Sequence, residues 1–253
     1  MSHATPFARQ WAGLVAQVRL FGQHAPRATL VEKDGMVASV MPAVPKSSLM
    51  NVALTADPAA VPRRLDQLAE HFKQGGARKW GLWVDGEDER AAASARREGM
   101  VLDSHPVGMV AQLDELPFDA APARKPVDLA TVGQINDLAY GYPEPKLGPP
   151  IAALPASVLA YGAEHAGDIA SVAMAFDVDT DTAVWFVATL PRARRNGLAA
   201  QILQRLLLDA RGRGQRTASL QASQAGRPLY EWLGFAAAGT LHLYEQALAP
   251  PWS

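Results

Sequence analysis

The sequence contains no cysteine, which excludes disulfides, thiolate nucleophiles, zinc–thiolate clusters and iron–sulfur ligation together. It has no uninterrupted apolar run near the roughly 18 residues that a membrane helix needs. The opening segment, residues 1–11 with His3 and Arg9, lacks an apolar signal core followed by a small-residue cleavage site. A cytoplasmic protein with no membrane partner is therefore expected. Charge of one sign is missing too: 24 basic against 25 acidic side chains leave a net charge of -1. No broad field draws the chain to nucleic acid, and no nucleic-acid partner is expected. The histidines at 3, 24, 71, 105, 165 and 242 show no metal-ligand spacing, so no metal is assigned. A Gly-x-Ser-x-Gly elbow, a Walker loop and a dinucleotide fingerprint are all missing.

What remains is an ordinary globular composition, 49% hydrophobic and 19% charged over 253 residues, enough for one large domain or two small ones. The segment 117–126 holds Pro117, Pro122 and Pro126 and follows neither a helical nor a strand period. It reads as a linker between a domain over 1–116 and another over 127–253. Beyond it, Asp128 is placed to cap a helix with Val132, Ile135 and Ala139 on one face. Residues 142–155 read as an exposed proline-rich loop. Alternating runs at 157–164, 169–176 and 183–189 predict antiparallel strands. An amphipathic helix starts at Gly197, a strand covers 217–220, Pro228 opens a short helix, and a last strand runs from Phe235 to Gln246. The first half repeats part of this layout: a helix over 62–72, a strand over 80–84, a helix over 89–97 and a strand from Met100 to near Leu113.

The chemistry concentrates at Arg194-Arg195-Asn196-Gly197-Leu198-Ala199, where a strand end turns into the amphipathic helix. The first four N–H groups of a helix have no partner inside it, and the aligned peptide dipoles place about half a positive charge there. Gly197 and Ala199 allow a diphosphate to approach the backbone, and the arginines add charge-assisted hydrogen bonds. By itself Arg-x-x-Gly-x-Ala also fits a capped helix with solvated arginines.

With Pro191 three residues before it, this run resembles the coenzyme motif of the GNAT superfamily of N-acetyltransferases, (Gln/Arg)-x-x-Gly-x-(Gly/Ala). Downstream, Tyr230-Glu231-Trp232-Leu233-Gly234-Phe235 is similar to the superfamily's second landmark, a short helix ending in Tyr-x-x-Leu-Gly-Phe. The resemblance covers residues 126–246. It implies an α+β fold with two mixed-sheet domains in tandem, helices packed on a central, largely antiparallel sheet, and a degenerate N-terminal repeat. It implies acetyl-CoA as co-substrate, with the backbone of Val187, Ala188 and Thr189 bonding the pantetheine arm. Arg194, Arg195, Asn196, Gly197, Leu198 and Ala199 would hold the diphosphate, Ser223 would contact the coenzyme, and Tyr230 would protonate the departing thiolate.

Acyl transfer from a thioester to an amine needs a neutral amine, a stabilised oxyanion and a proton for sulfur. Some relatives carry a glutamate on the central strand, where this sequence has Trp185 and Phe186. A water relay ending at an acidic residue within 142–144, such as Glu144, is expected instead. Asp177, Asp179 and Asp181 mimic a calcium loop, but Thr182 stands where glycine is required, so a hairpin turn is expected. Residues 42–57 carry no second phosphate motif, which implies one site per chain, with the first half as a wall of the acceptor pocket. The leading reading is an N-acetyltransferase acting on a small-molecule amine, as a monomer or homodimer. A non-catalytic acyl-CoA sensing module, a transferase acting on a protein amine and an interaction scaffold stay open.

Overall fold

The computed structural model describes residues 4–123, 125, 127–142 and 146–248. Of the positions named above, His3, Pro126 and Glu144 lie outside the described residues. The chain opens with helix α1 (Pro6–His24), strands β1 (Thr29–Lys33), β2 (Met36–Val40) and β3 (Val52–Thr55), and helix α2 (Leu65–Gln74). Strand β4 (Lys79–Asp85), helix α3 (Glu89–Arg97) and strands β5 (Val101–Ser104) and β6 (Val107–Gln112) follow. Next come helices α4 (Leu129–Ala139) and α5 (Gly148–Ala152) and strands β7 (Leu159–His165), β8 (Asp168–Val178) and β9 (Asp181–Thr189). A 3-10 turn (Pro191–Ala193) leads into helix α6 (Leu198–Gly212), strand β10 (Thr217–Ala222), helix α7 (Arg227–Trp232) and strand β11 (Phe235–Ala247). The class is α+β, with parallel and antiparallel strand pairs.

Two compact units arise, each discontinuous in sequence: Met1–Gly13 with Met109–Ala238, and Leu14–Gly108 with Gly239–Ser253. This differs from a division at 117–126, because the last strand returns to the sheet built by the first half. There β11 runs antiparallel to β4, from Leu241↔Asp85 to Ala247↔Lys79. In that unit β1, β2, β3 and β4 are successive neighbours, with β3 and β4 parallel. Its core centres on Leu68, Phe72, Trp80, Leu82 and Tyr244, with the Phe72 and Trp80 rings stacked at 4.9 Å between centroids. The strand predicted from Met100 to Leu113 is two strands. Pro106 interrupts it, since proline offers no N–H to a ladder and fixes φ.

The unit containing the coenzyme motif orders its strands β6-β10-β9-β8-β7. Along β8, Ala170 through Phe176 are all buried, a run that requires cover on both faces of the sheet. Helices α4 and α6 both pack on β7, β8 and β9. Helix α6 contributes Ala210 and Leu198, Ile202, Leu203, Leu206 and Leu207, the last five being leucine-sized side chains whose burial stabilises by about 1.5–3 kcal/mol each. Asp128 caps α4 as expected, its side chain accepting the Thr131 N–H at 2.7 Å, and that bond lowers its pKa.

Two elements depart from the sequence reading. Helix α1 was not expected, although Trp11, Leu14, Val15, Val18 and Phe21 are buried at helical spacing. The stretch 142–155 is not simply an exposed loop: it contains α5, with Gly148, Pro150 and Ile151 buried. Proline is accommodated at a helix start because the N–H it lacks would be unpaired there. The buried Asp137 carboxylate accepts the N–H groups of Lys146 at 2.5 Å and Leu147 at 2.8 Å, fixing the approach to that helix. No helix among the described residues is long and apolar enough to cross a membrane.

Candidate active site

The site is built on the divergence of β9 and β10. These parallel strands pair only at Thr217↔Asp181, Ala218↔Thr182 and Ser219↔Ala183, although both continue further. On its other side β9 pairs with β8, and there two steps along β8, from Val172 to Met174, match three along β9, from Ala188 to Trp185. The extra residue is a β-bulge, and Phe186 within it has φ of 52°. A left-handed phenylalanine is costly, and bulges of this kind bend a strand and increase its twist. Val187 lies in the bulge, and Ala188 and Thr189 follow it, on a strand bonded to a neighbour on one side only, which leaves alternate backbone groups open on the other, apart from the Thr189 carbonyl that Arg194 takes. The buried Ser171 pins this end, its hydroxyl 2.8 Å from the Thr189 hydroxyl and 3.2 Å from the Ala188 carbonyl oxygen.

Beyond β9 the chain tightens into the 3-10 turn, and Arg195 and Gly197 both take left-handed φ, at 64° and 73°. Asn196 closes the turn through Nδ2, which donates to the Ala193 and Arg194 carbonyls at 3.2 Å each. Gly197 is the N-cap of α6 and provides no side-chain cap. The first helical bond runs from the Gln201 N–H to the Gly197 carbonyl, so the amides of Leu198 and Ala199 belong to the set that a helix leaves unpaired. A Cβ built at Gly197 would meet nothing within 4 Å. The helix therefore begins at an open, positively polarised end.

The two arginines of the motif are used differently. Arg194 directs its guanidinium inward: Nε donates to the Thr189 carbonyl at 3.2 Å and Nη2 to the Ala139 carbonyl at 2.9 Å. Arg195 is exposed beside the open amides. Arg192 pairs with Asp168 at 3.6 Å across an exposed surface, a contact worth little.

Following β10, Ser223 is exposed, and its Oγ accepts the Gly226 N–H at 3.2 Å. Its own hydrogen remains available to an acceptor outside the turn. Tyr230 of α7 is 8% exposed and meets Phe235 edge-on, with ring centroids 6.0 Å apart. Burial pushes the Tyr230 phenol well above the ordinary tyrosine range, and the nearby Tyr140 phenol adds to the shift. A neutral O–H donor results.

The aspartates of the 177–181 turn serve structure. Asp177 receives two bonds from Arg213, both 2.9 Å, and Asp181 accepts from the hydroxyls of Thr217 and Ser219, each at 2.6 Å. Among the described residues no group of three His, Asp or Glu is placed to hold a metal. Sequence reasoning missed the Phe186 bulge, which leaves no signature in one residue of a strand. It missed the target of Arg194, a carbonyl 55 positions away. Tyr140 and Tyr142 were findable: two aromatics flank Gly141 at the end of α4 and are 68% and 57% exposed.

Residues 130–235 match the family model described as the acetyltransferase (GNAT) family. No curated protein sequence matches the chain. Among solved structures, a GCN5-related N-acetyltransferase from Kribbella flavida is 21% identical, with 94% of this chain and 96% of that one covered and a TM-score of 0.65. A GCN5-related N-acetyltransferase from Sphaerobacter thermophilus gives 15% identity, 97% and 93% coverage and a TM-score of 0.60. A tandem GNAT protein from the clavulanic acid biosynthesis pathway gives 14%, 96% and 95%, and 0.55. At these identities the likeness is one of fold.

Proposed function

We propose that this chain, whose residues 130–235 match the acetyltransferase (GNAT) family model, is an acyltransferase that moves the acetyl group of acetyl-CoA directly to a small-molecule amine. The observation that carries this reading is the coincidence of the unpaired β9 edge with the uncapped start of α6. The space above Gly197, which a side chain would fill, suits a diphosphate. Acetyl-CoA, when bound, supplies the acyl group as an activated thioester. The backbone of Val187, Ala188 and Thr189 takes the pantetheine arm as an added strand. The turn and helix start at Arg195, Asn196, Gly197, Leu198 and Ala199 hold the diphosphate, Arg194 bracing that turn through its bonds to the Thr189 and Ala139 carbonyls, and Ser223 donates to the coenzyme from the end of β10.

The N–H groups of the β9 edge are the donors available to the carbonyl oxygen as charge develops on it. The amine nitrogen forms a bond to the carbonyl carbon, the carbon–sulfur bond breaks, and Tyr230 gives its proton to the departing sulfur. The amine's proton leaves through water and Tyr230 is reprotonated from solvent, so the products are an amide and free coenzyme thiol. Trp185 and Phe186 occupy the positions where a carboxylate base would stand, which is why water carries the proton. The first half of the chain is read as a degenerate tandem partner, with one site per chain in a cytoplasmic monomer or homodimer.

Thiol release from acetyl-CoA, followed across a panel of amines with wild type and Tyr230→Phe, tests the reading. Amine-dependent release by wild type, reduced in the variant at unchanged coenzyme affinity, supports it. Coenzyme binding with no release for any small amine or peptide N-terminus favours a sensing module. Release only with peptides moves the acceptor to protein.

A further inference from the structure

In the unit that carries the proposed site, the large apolar side chains left exposed are Leu138 at 48%, Tyr140 at 68%, Tyr142 at 57% and Trp232 at 61%. Three of the four are close in sequence. The first three stand within five positions at the end of α4, and the fourth is on α7, the six-residue helix that carries Tyr230. Grouped exposed apolar residues on an otherwise well-covered surface mark a binding site rather than a packing failure.

The end of α4 is also tied to the catalytic strand. Through one guanidinium, Arg194 bonds the Ala139 carbonyl, one residue before Tyr140, and the Thr189 carbonyl, the last residue of β9. A helix leaves its last carbonyls unpaired, and a cation there also answers the negative end of the dipole. The planar fork of arginine reaches two carbonyls at fixed separation, which lysine cannot do. The Asp137 carboxylate is buried and engaged by two amides, and among the described residues 137–142 and 146–148 no carboxylate is exposed. The described part of this stretch offers the exposed aromatic faces of Tyr140 and Tyr142.

We propose that the acyl acceptor is an amine carried on an apolar or aromatic body, and that Arg194 is the positioning residue that holds Tyr140 and Tyr142 as its wall. The inference rests on the transferase reading above and assigns the Arg194 side chain to the acceptor rather than to the diphosphate. The electrostatic influence of Tyr140 on the Tyr230 phenol is consistent with that placement.

The test combines calorimetry of acetyl-CoA binding with thiol-release kinetics, using 2-phenylethylamine and tyramine as apolar probes and glucosamine and spermidine as polar ones. Wild type is expected to favour the apolar pair by about tenfold or more in kcat/KM. Arg194→Gln is expected to keep the acetyl-CoA Kd within about twofold while raising the KM for 2-phenylethylamine about tenfold. Arg194→Lys should fail to rescue it, and Arg195→Ala should show the opposite split. A weakened coenzyme Kd with unchanged amine KM in Arg194→Gln overturns the positioning role, as does no change in either. Preference for the polar amines, or coenzyme binding without release from either apolar probe, overturns the acceptor class. Absence of acetyl-CoA binding in wild type instead defeats the transferase reading beneath it.

Discussion

The ring of Tyr230 lies directly against Gly226: a Cβ at that glycine would stand 3.0 Å from Tyr230 Cε2. Gly226 has φ of -84°, so alanine is acceptable to the backbone there and any effect is steric. Gly226→Ala is expected to displace the ring, lower kcat by about tenfold through misplacement of the proton donor, and cost about 1–3 kcal/mol of stability from overpacking. Unchanged kcat in a folded variant would separate Tyr230 from catalysis.

Tyr230→Phe removes the proton donor itself and is expected to lower kcat by about 100-fold or more, in the range of general acid catalysis, with acetyl-CoA affinity preserved. The pH profile follows from the direction of the shift. The neutral phenol is the active form and burial raises its pKa above the ordinary value of 10.0, so activity should not fall on the alkaline side through loss of this proton before that value is passed. A descending limb near neutrality that disappears in Tyr230→Phe would contradict this.

Much of the proposed site was legible because its parts are local. Gly197 before a run of Leu198, Ile202 and Leu206 announces both the helix and its bare start, and Pro228 with Gly234 brackets the short helix bearing Tyr230. What was not legible depends on partners distant in sequence. The return of Leu241–Ala247 to β4 has no local signal, because an alternating strand pairs with whichever edge is open. The helix over residues 6–24 does carry a local signal, since its buried apolar residues recur at helical spacing. The motif does not announce that Arg194 bonds the Thr189 and Ala139 carbonyls, because the second of these is brought to it only by folding.

Gly197 has φ of 73° with open space above it. Gly197→Ala therefore meets no protein atom, and its folding cost is the left-handed penalty of about 1–2 kcal/mol. Its methyl group projects where the diphosphate is proposed to sit, so acetyl-CoA Kd should rise about tenfold or more. Thermal melts and calorimetry on the same preparation separate the two effects; a Kd within twofold of wild type would place the diphosphate elsewhere.

Asp181 supplies a stability prediction independent of catalysis. Burial raises its pKa above 3.8, against the hydroxyl bonds from Ser219 and Thr217 and the charge of Arg9, which lower it. The folded state thus favours the neutral carboxyl. This contribution is complete below the unfolded pKa and is lost as pH rises through the elevated folded value. Asp181→Asn keeps an acceptor for the hydroxyls and carries no charge, so its stability relative to wild type should improve from pH ~4 to pH ~8. Asp181→Ala takes away the acceptor to which the Thr217 and Ser219 hydroxyls donate and should cost about 1–3 kcal/mol. Chemical denaturation at the two pH values checks both, and a fall in the stability of Asp181→Asn relative to wild type with rising pH would be inconsistent with a raised carboxyl.

The central claim is that the bare start of α6 grips a diphosphate. Calorimetric titration with acetyl-CoA and with S-acetylpantetheine, which shares the thioester arm but has no diphosphate, tests it most directly. The account predicts saturable binding of one acetyl-CoA per chain and affinity for the fragment weaker by about 100-fold or more, the loss of several charge-assisted bonds. Equal affinity for the two, or no binding of acetyl-CoA, would contradict it.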